Sequence, residues 1–181
     1  MSNWQRLDTK IVYQNAYITV HEDNVINPGA KPGIYGWVET PPAVFVVPID
    51  DHGKVLLEKQ LRYTTGLASW EVPAGSTDGE EPLAAAKREL AEETQLHAEK
   101  WEQLDGEVHP FNSLSPERNI TFIARGLHKA KGHAREDDEA IVELKSFSWT
   151  ELKRMIKSGE ITDGQTITTL ARAGLHLGHL K

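Results

Sequence analysis

Residues Ala43-Val44-Phe45-Val46-Val47-Pro48-Ile49 form an apolar run with no polar residue inside it. A strand with one wet face alternates apolar and polar side chains, so a run without alternation reads as a strand buried on both faces. Such a strand needs cover on each side. The rest of the chain can supply it: 39% of its 181 residues are hydrophobic and 26% charged, which is enough apolar material for a core. There is no cysteine, so disulfides, thiolate metal sites and a cysteine nucleophile are excluded.

Around this strand the pattern mixes strands and helices without regular βαβ alternation. Strands are expected at Lys10–Tyr13, Tyr17–Val20 and Ile34–Glu39, the last two separated by a turn at Asn27–Gly33. Lys54–Gln60 follows the buried run through the Asp50-Asp51-His52-Gly53 loop and predicts a hairpin. Trp70–Gly75 reads as one short strand ending in a turn. Trp101–Leu104, Ile120–Ala124 and Ile141–Trp149 read as further strands, with a loop at His109–Arg118. Pro82–Gln95, rich in Ala, Leu, Glu, Lys and Arg, is the strongest helix. A second helix is expected at Glu151–Lys157, with Thr150 as its N-cap, and a third at Gly164–Leu177. The class is α+β, with an α/β/α sandwich as the expected form.

The net charge of −7 argues against a general nucleic-acid binder. No window approaches the roughly 18 apolar residues of a membrane helix. Met1–Arg6 lacks the apolar stretch of a secretory signal, so a cytoplasmic protein without a membrane partner is expected. An acidic protein that handles a polyphosphate needs a bridging cation, which directs attention to its acidic clusters.

The helix 82–95 carries one. With Glu89 at zero on a helical wheel, Glu92 falls about 60° to one side and Glu93 about 40° to the other. Like charges at these spacings destabilise a helix unless something neutralises them. Hard cations such as Mg²⁺ choose carboxylate oxygens, completed by water and substrate phosphates. Leu83, Ala86 and Leu90 lie beside the Glu arc, while Lys87, Ala91 and Thr94 fall on the far side, so the arc is expected at the edge of a cleft. The plainer alternative is a solvated acidic helix with an Arg88–Glu92 pair.

The residues from Gly75 onward, Gly-Ser-Thr-Asp-Gly-Glu-Glu-Pro-Leu-Ala-Ala-Ala-Lys-Arg-Glu-Leu-Ala-Glu-Glu-Thr-Gln-Leu, resemble the Nudix box, G-x5-E-x7-R-E-U-x-E-E-x-G-U, where U is a bulky apolar residue. The core Arg88-Glu89-Leu90-Ala91-Glu92-Glu93 and Leu96 match in register, as does Glu80. Gly75 stands one residue too close to Glu80, and Gln95 replaces the later glycine, so the helix would have to turn without the freedom glycine gives. Tyr35-Gly36-Trp37-Val38-Glu39, Gln60-Leu61-Arg62-Tyr63, Trp70–Gly75 and Asn112–Glu117 are similar to the branch of the family that cleaves ADP-ribose and other nucleotide-sugars.

That resemblance implies a Nudix-type α/β/α sandwich with a mixed sheet over residues 41–181. Residues 1–40 would be an N-terminal β extension that contributes to a homodimer. It implies hydrolysis of a nucleoside diphosphate sugar with Mg²⁺, or Mn²⁺, as cofactor. By matching positions, Glu89, Glu92 and Glu93 would be metal ligands, Glu93 foremost, with a backbone carbonyl near Ala74 and Gly75. Glu80 and Arg88 would hold the loop to the helix. Arg62 is read either as a phosphate contact or as a surface arginine. The base that activates water is left among Glu117, a box glutamate, and the acidic loop of Glu136, Asp137 and Glu139. Trp37 and Tyr35 are candidates for adenine stacking, whereas Trp4, Trp70, Trp101 and Trp149 read as packing residues. Candidate substrates are ADP-ribose, ADP-glucose, GDP-mannose or another pyrophosphate. The rival from another class is a Nudix-fold nucleotide-sugar sensor without catalysis.

Overall fold

In the computed structural model, which describes residues 3–129 and 140–180, the apolar run is strand β4 (Ala43–Ile49), at the middle of a seven-stranded mixed sheet. Three strands precede it: β1 (Gln5–Gln14), β2 (Thr19–Ile26) and β3 (Pro32–Glu39). After it come β5 (Val55–Arg62), β6 (Leu67–Glu71), β7 (Ala74–Ser76), helix α1 (Pro82–Thr94), β8 (Leu96–Gln103) and β9 (Asn119–Lys129). The chain closes with β10 (Ile141–Phe147), α2 (Trp149–Ser158) and α3 (Gly164–His176). The described residues fall into two units, one of 3–42 with 109–118 and one of 43–108 with 119–129 and 140–180.

In the second unit the sheet order is β10-β5-β4-β9-β8, with β6 on β5 and β7 on β4. The β4–β9 pairing is parallel, from Ala43↔Asn119 to Ile49↔Arg125, and the others are antiparallel. Alternation along β4 sorts its side chains between two cores. Val44 and Val46 pack with Ala85, Ala86 and Leu90 of α1 and with Ile120 and Phe122 of β9. Phe45, Val47 and Ile49 pack with Leu152 and Met155 of α2 and Leu170 and Ala173 of α3. One helix on one face and two on the other make the expected α/β/α sandwich.

Several local expectations are corrected. The β4–β5 hairpin pairs only at Ile49↔Val55, because β4 then turns to β7 and β9 for its hydrogen bonds. Trp70–Gly75 is not one strand: the chain leaves β5 after Glu71 and rejoins the sheet on β4 at Ala74. Strand β10 ends at Phe147, and the N-cap of α2 is Ser148, not Thr150. The Ser148 hydroxyl accepts the Glu151 backbone N–H and the Glu151 carboxylate accepts the Ser148 N–H, a complete capping box. Strand β2 starts at Thr19 because Asn15 Oδ1 accepts the N–H groups of both Tyr17 and Ile18, forming a turn. Ala91 and Thr94 are buried, so the covered arc of α1 is wider than the wheel suggested, and Leu83 is exposed.

The first unit is an antiparallel sheet, β1-β2-β3, joined by residues 109–118 through the Val38 N–H on the Leu114 carbonyl. Trp4, expected to be packed, is 55% exposed and touches Tyr35 edge to face. No helix among the described residues is long and apolar enough to cross a membrane. The acidic loop of Glu136, Asp137 and Glu139 lies outside the described residues.

Candidate active site

Strand β7 and helix α1 place the box residues against each other. The loop between them reverses with Asp78 and Gly79 at φ 47° and 83°, and Pro82 opens the helix where a missing N–H costs nothing. Three turns along, Glu93 is 1% exposed and its Oε2 accepts the Ala74 N–H at 2.9 Å. Glu89, 6% exposed, lies directly over Gly75: a Cβ there would stand 2.1 Å from its Oε1. The glycine makes room for this close approach, whatever its spacing from Glu80.

Arg88 ties the loop to the helix. Its Nη1 lies 2.8 Å from Glu89 Oε1 and donates to Glu92 Oε2 at 3.0 Å. Its Nη2 donates to the Ser76 carbonyl at 2.9 Å, and Nε reaches Glu80 at 3.5 Å. Burial works against its charge, but Glu89, then Glu92 and Glu80, outweigh that and raise the guanidinium pKa further. Both sequence readings of Arg88, the Glu92 pair and the loop tether, are therefore present.

Among the described residues no three His, Cys, Asp or Glu side chains are grouped closely enough to form a metal cage. Mg²⁺ does not require one, since it is bound through one or two carboxylates plus water and phosphate. The residues expected as ligands, Glu89, Glu92 and Glu93 with the Ala74 carbonyl, carry only hard oxygens, the donor type such a cation takes, and the Gly75 cradle leaves the Glu89 carboxylate against the backbone.

Arg62, at the end of β5, is half-exposed and donates from Nε and Nη2 to Glu71 Oε2 at 3.0 and 2.6 Å. Burial pushes the Glu71 carboxyl up, with Arg62 opposing. Sequence reading passed over Glu71, although it stands inside the Trp70–Gly75 segment. Its importance depends on strand register, which spacing alone does not reveal.

The other candidates belong to the first unit. Tyr35 and Trp37, on β3, line a cavity of about 340 Å³ with Leu114, Ser115 and Pro116. Trp37 stacks on His21 at 4.0 Å and its indole N–H donates to Asp23 at 3.1 Å, while the Tyr35 hydroxyl donates to the Ser113 carbonyl at 2.7 Å. Glu117 is partly buried. Its N–H donates to Ser115 Oγ, and its carboxylate accepts the Thr40 hydroxyl at 3.4 Å. Burial raises its carboxyl pKa and the Thr40 bond works against that.

Residues 39–170 match the family described as NUDIX domain, and residues 4–38 match the nucleoside diphosphate sugar hydrolase N-terminal domain. The chain is 30% identical over 180 residues to an ADP-ribose pyrophosphatase of Mycobacterium tuberculosis, covering 98% of this chain and 84% of that protein. It is 28% identical over 162 residues to a methanol dehydrogenase activator of Bacillus methanolicus, covering 89% and 87%. The crystal structure of an ADP compounds hydrolase superposes with a TM-score of 0.83 at 17% identity, covering 98% of this chain and 95% of that one, and shows the same fold. With the box geometry and both domain matches in hand, the chain belongs to the Nudix hydrolase family, in its ADP-ribose and nucleotide-sugar pyrophosphatase branch.

Proposed function

We propose that this protein hydrolyses the pyrophosphate bond of a nucleoside diphosphate sugar, ADP-ribose or an ADP-glucose-like compound, to a nucleoside monophosphate and a sugar phosphate. The observation that carries this reading is the seating of Glu89 and Glu93, two buried carboxylates, against the backbone of Ala74 and Gly75. Buried carboxylates cost stability, and their retention on one helix beside a glycine cradle is understandable if they serve a cation. Glu89, Glu92, Glu93 and the Ala74 carbonyl would hold Mg²⁺, or Mn²⁺. When bound, such an ion neutralises charge on the bridging and leaving oxygens of the diphosphate.

The remaining roles are borne by this chain's own side chains. Arg62 offers guanidinium donors to a phosphate, a pairing its planar fork suits. Trp37 and Tyr35 offer aromatic surface to the base. Glu117 is the proposed general base: a carboxyl raised by burial accepts a proton from water better than an ordinary one. A homodimer through β1–β3 fits the exposed Leu7, Ile11, Val12, Tyr13 and Ile34 on that sheet; sedimentation that gives a monomer would refute it.

The test is release of nucleoside monophosphate from a panel of nucleotide-sugars with Mg²⁺, Mn²⁺ or EDTA, alongside Glu93→Gln. Metal-dependent AMP release from ADP-ribose or ADP-glucose, lost in the variant, is expected. Binding of nucleotide-sugar without turnover across the panel would overturn hydrolysis in favour of a sensor.

A further inference from the structure

Arg62 and Glu71 lie on paired antiparallel strands but are not register partners: Arg62 stands opposite Leu67, and Glu71 opposite Glu58. The Arg62 side chain therefore runs back along the sheet, and its Nε and Nη2 both close on one oxygen of Glu71. Glu71 is 3% exposed and Glu58 1%. Two buried glutamates facing each other across a ladder disfavour the sheet, and an apolar pair would serve packing better. The arrangement is understandable as a mount. A free arginine head samples many rotamers, whereas one edge of its fork committed to a buried carboxylate fixes the guanidinium plane. The side chain remains 48% exposed, and Nη1 is not among the donors that bind Glu71. Burial works against the guanidinium charge, but Glu71, then Asp163 and Glu58, outweigh it and raise the Arg62 pKa.

We propose that Glu71 is a positioning residue for diphosphate recognition: it commits one edge of the Arg62 guanidinium, so that the remaining donors meet phosphate oxygens in a fixed orientation. This rests on the reading of Arg62 as a phosphate contact, and the experiment separates the two. Calorimetric binding of a non-hydrolysable, methylene-bridged ADP-ribose, together with KM and kcat for ADP-ribose, is compared for wild type, Arg62→Ala, Glu71→Gln and the double variant.

Arg62→Ala is expected to weaken binding at least tenfold and Glu71→Gln three- to tenfold, chiefly in KM, with the double variant no weaker than Arg62→Ala alone. Unchanged affinity in Arg62→Ala refutes the phosphate reading and the mount with it. If Arg62→Ala binds weakly but Glu71→Gln binds like wild type, or if the two losses multiply in the double variant, the phosphate contact stands and the positioning role falls. Should Glu71→Gln fail to fold, Glu71→Asp keeps the buried charge and draws the carboxylate back by one methylene. A threefold or greater loss of affinity is expected there, and wild-type affinity overturns the proposal.

Discussion

Helices α1 and α2 belong to the same unit and follow opposite rules. In α2 every local preference agrees: a capping box at Ser148 and Glu151, Lys157 in the last turn, Gly159 in the left-handed region at φ 76°, and Trp149, Leu152 and Met155 on the covered face. In α1 the N-cap residue Glu81 makes no side-chain bond, the last turn carries no basic residue to complement the helix dipole, and the left-handed position falls on Gln95 at φ 58°. Its covered face takes in Glu89 and Glu93 among Ala85, Ala86 and Leu90. A helix held by caps and apolar packing is there for the fold. One that buries carboxylates and tolerates a strained terminus is held in place by its neighbours for another purpose. Exchanging the two kinds of residue should therefore affect activity in one helix and stability in the other.

The largest effect is expected at Glu93→Gln. The amide keeps an oxygen for the Ala74 N–H but removes the charge, so activity should fall by at least about 100-fold. Thermal stability should fall far less than activity, because the amide has the same shape and keeps the bond to Ala74. Equal losses of stability and activity would show that Glu93 is a structural residue. Gly75→Ala comes next. Its Cβ would collide with the Glu89 carboxylate, so that carboxylate must leave its seat, at about 1 kcal/mol and with activity lost in the folded fraction. Urea titration together with turnover per folded molecule checks both, and a fully active variant would mean that Glu89 can swing away at no cost.

Ser148→Ala should do the reverse. Losing the cap costs about 1 kcal/mol of stability and leaves kcat and KM unchanged. Gln95→Gly should be a gain. Glycine holds the left-handed conformation without steric cost, so about 0.5–1 kcal/mol is expected, read as a rise in Tm at unchanged activity. A destabilised Gln95→Gly would show that the glutamine side chain makes up for its own strain.

How much of this was legible depends on whether the signal is local. The lack of alternation in Ala43–Ile49 gave the doubly covered strand, and the two covering layers are there. The spacing of Arg88, Glu89, Glu92 and Glu93 gave the box, because helical geometry fixes which residues share a face. The Ser148–Glu151 signature was equally local, but the apolar run through Phe147 and Trp149 reads as continuous strand and hides it. What sequence could not give was set by pairing between distant segments. The reach of Arg62 back to Glu71 depends on strand register, and the contact of Gly75 with Glu89 on how β7 meets α1. The burial of Ala91 and Thr94 requires knowing that the sheet covers α1 more widely than its apolar residues alone suggest.

The smallest expected effect is on the pH dependence of the α2 cap. The Ser148 hydroxyl, then the Ser148 backbone N–H, holds the Glu151 carboxyl below its ordinary value of 4.5. A folded pKa below the unfolded one means that the unfolded chain takes up the proton first as the pH falls. The contribution of Glu151 to stability is therefore complete above about pH 4.5 and disappears as the pH drops through the lower folded value. Glu151 is exposed, so the difference is small, and salt will screen the part of it due to Lys54 and Lys145. The measurement is Tm against pH for wild type and Glu151→Gln: the gap between the curves should be constant near neutrality and close below about pH 4. A gap that persists into acid would place the stabilisation in hydrogen bonds that the amide cannot replace but the neutral acid can, and the cap of α2 would then owe nothing to charge.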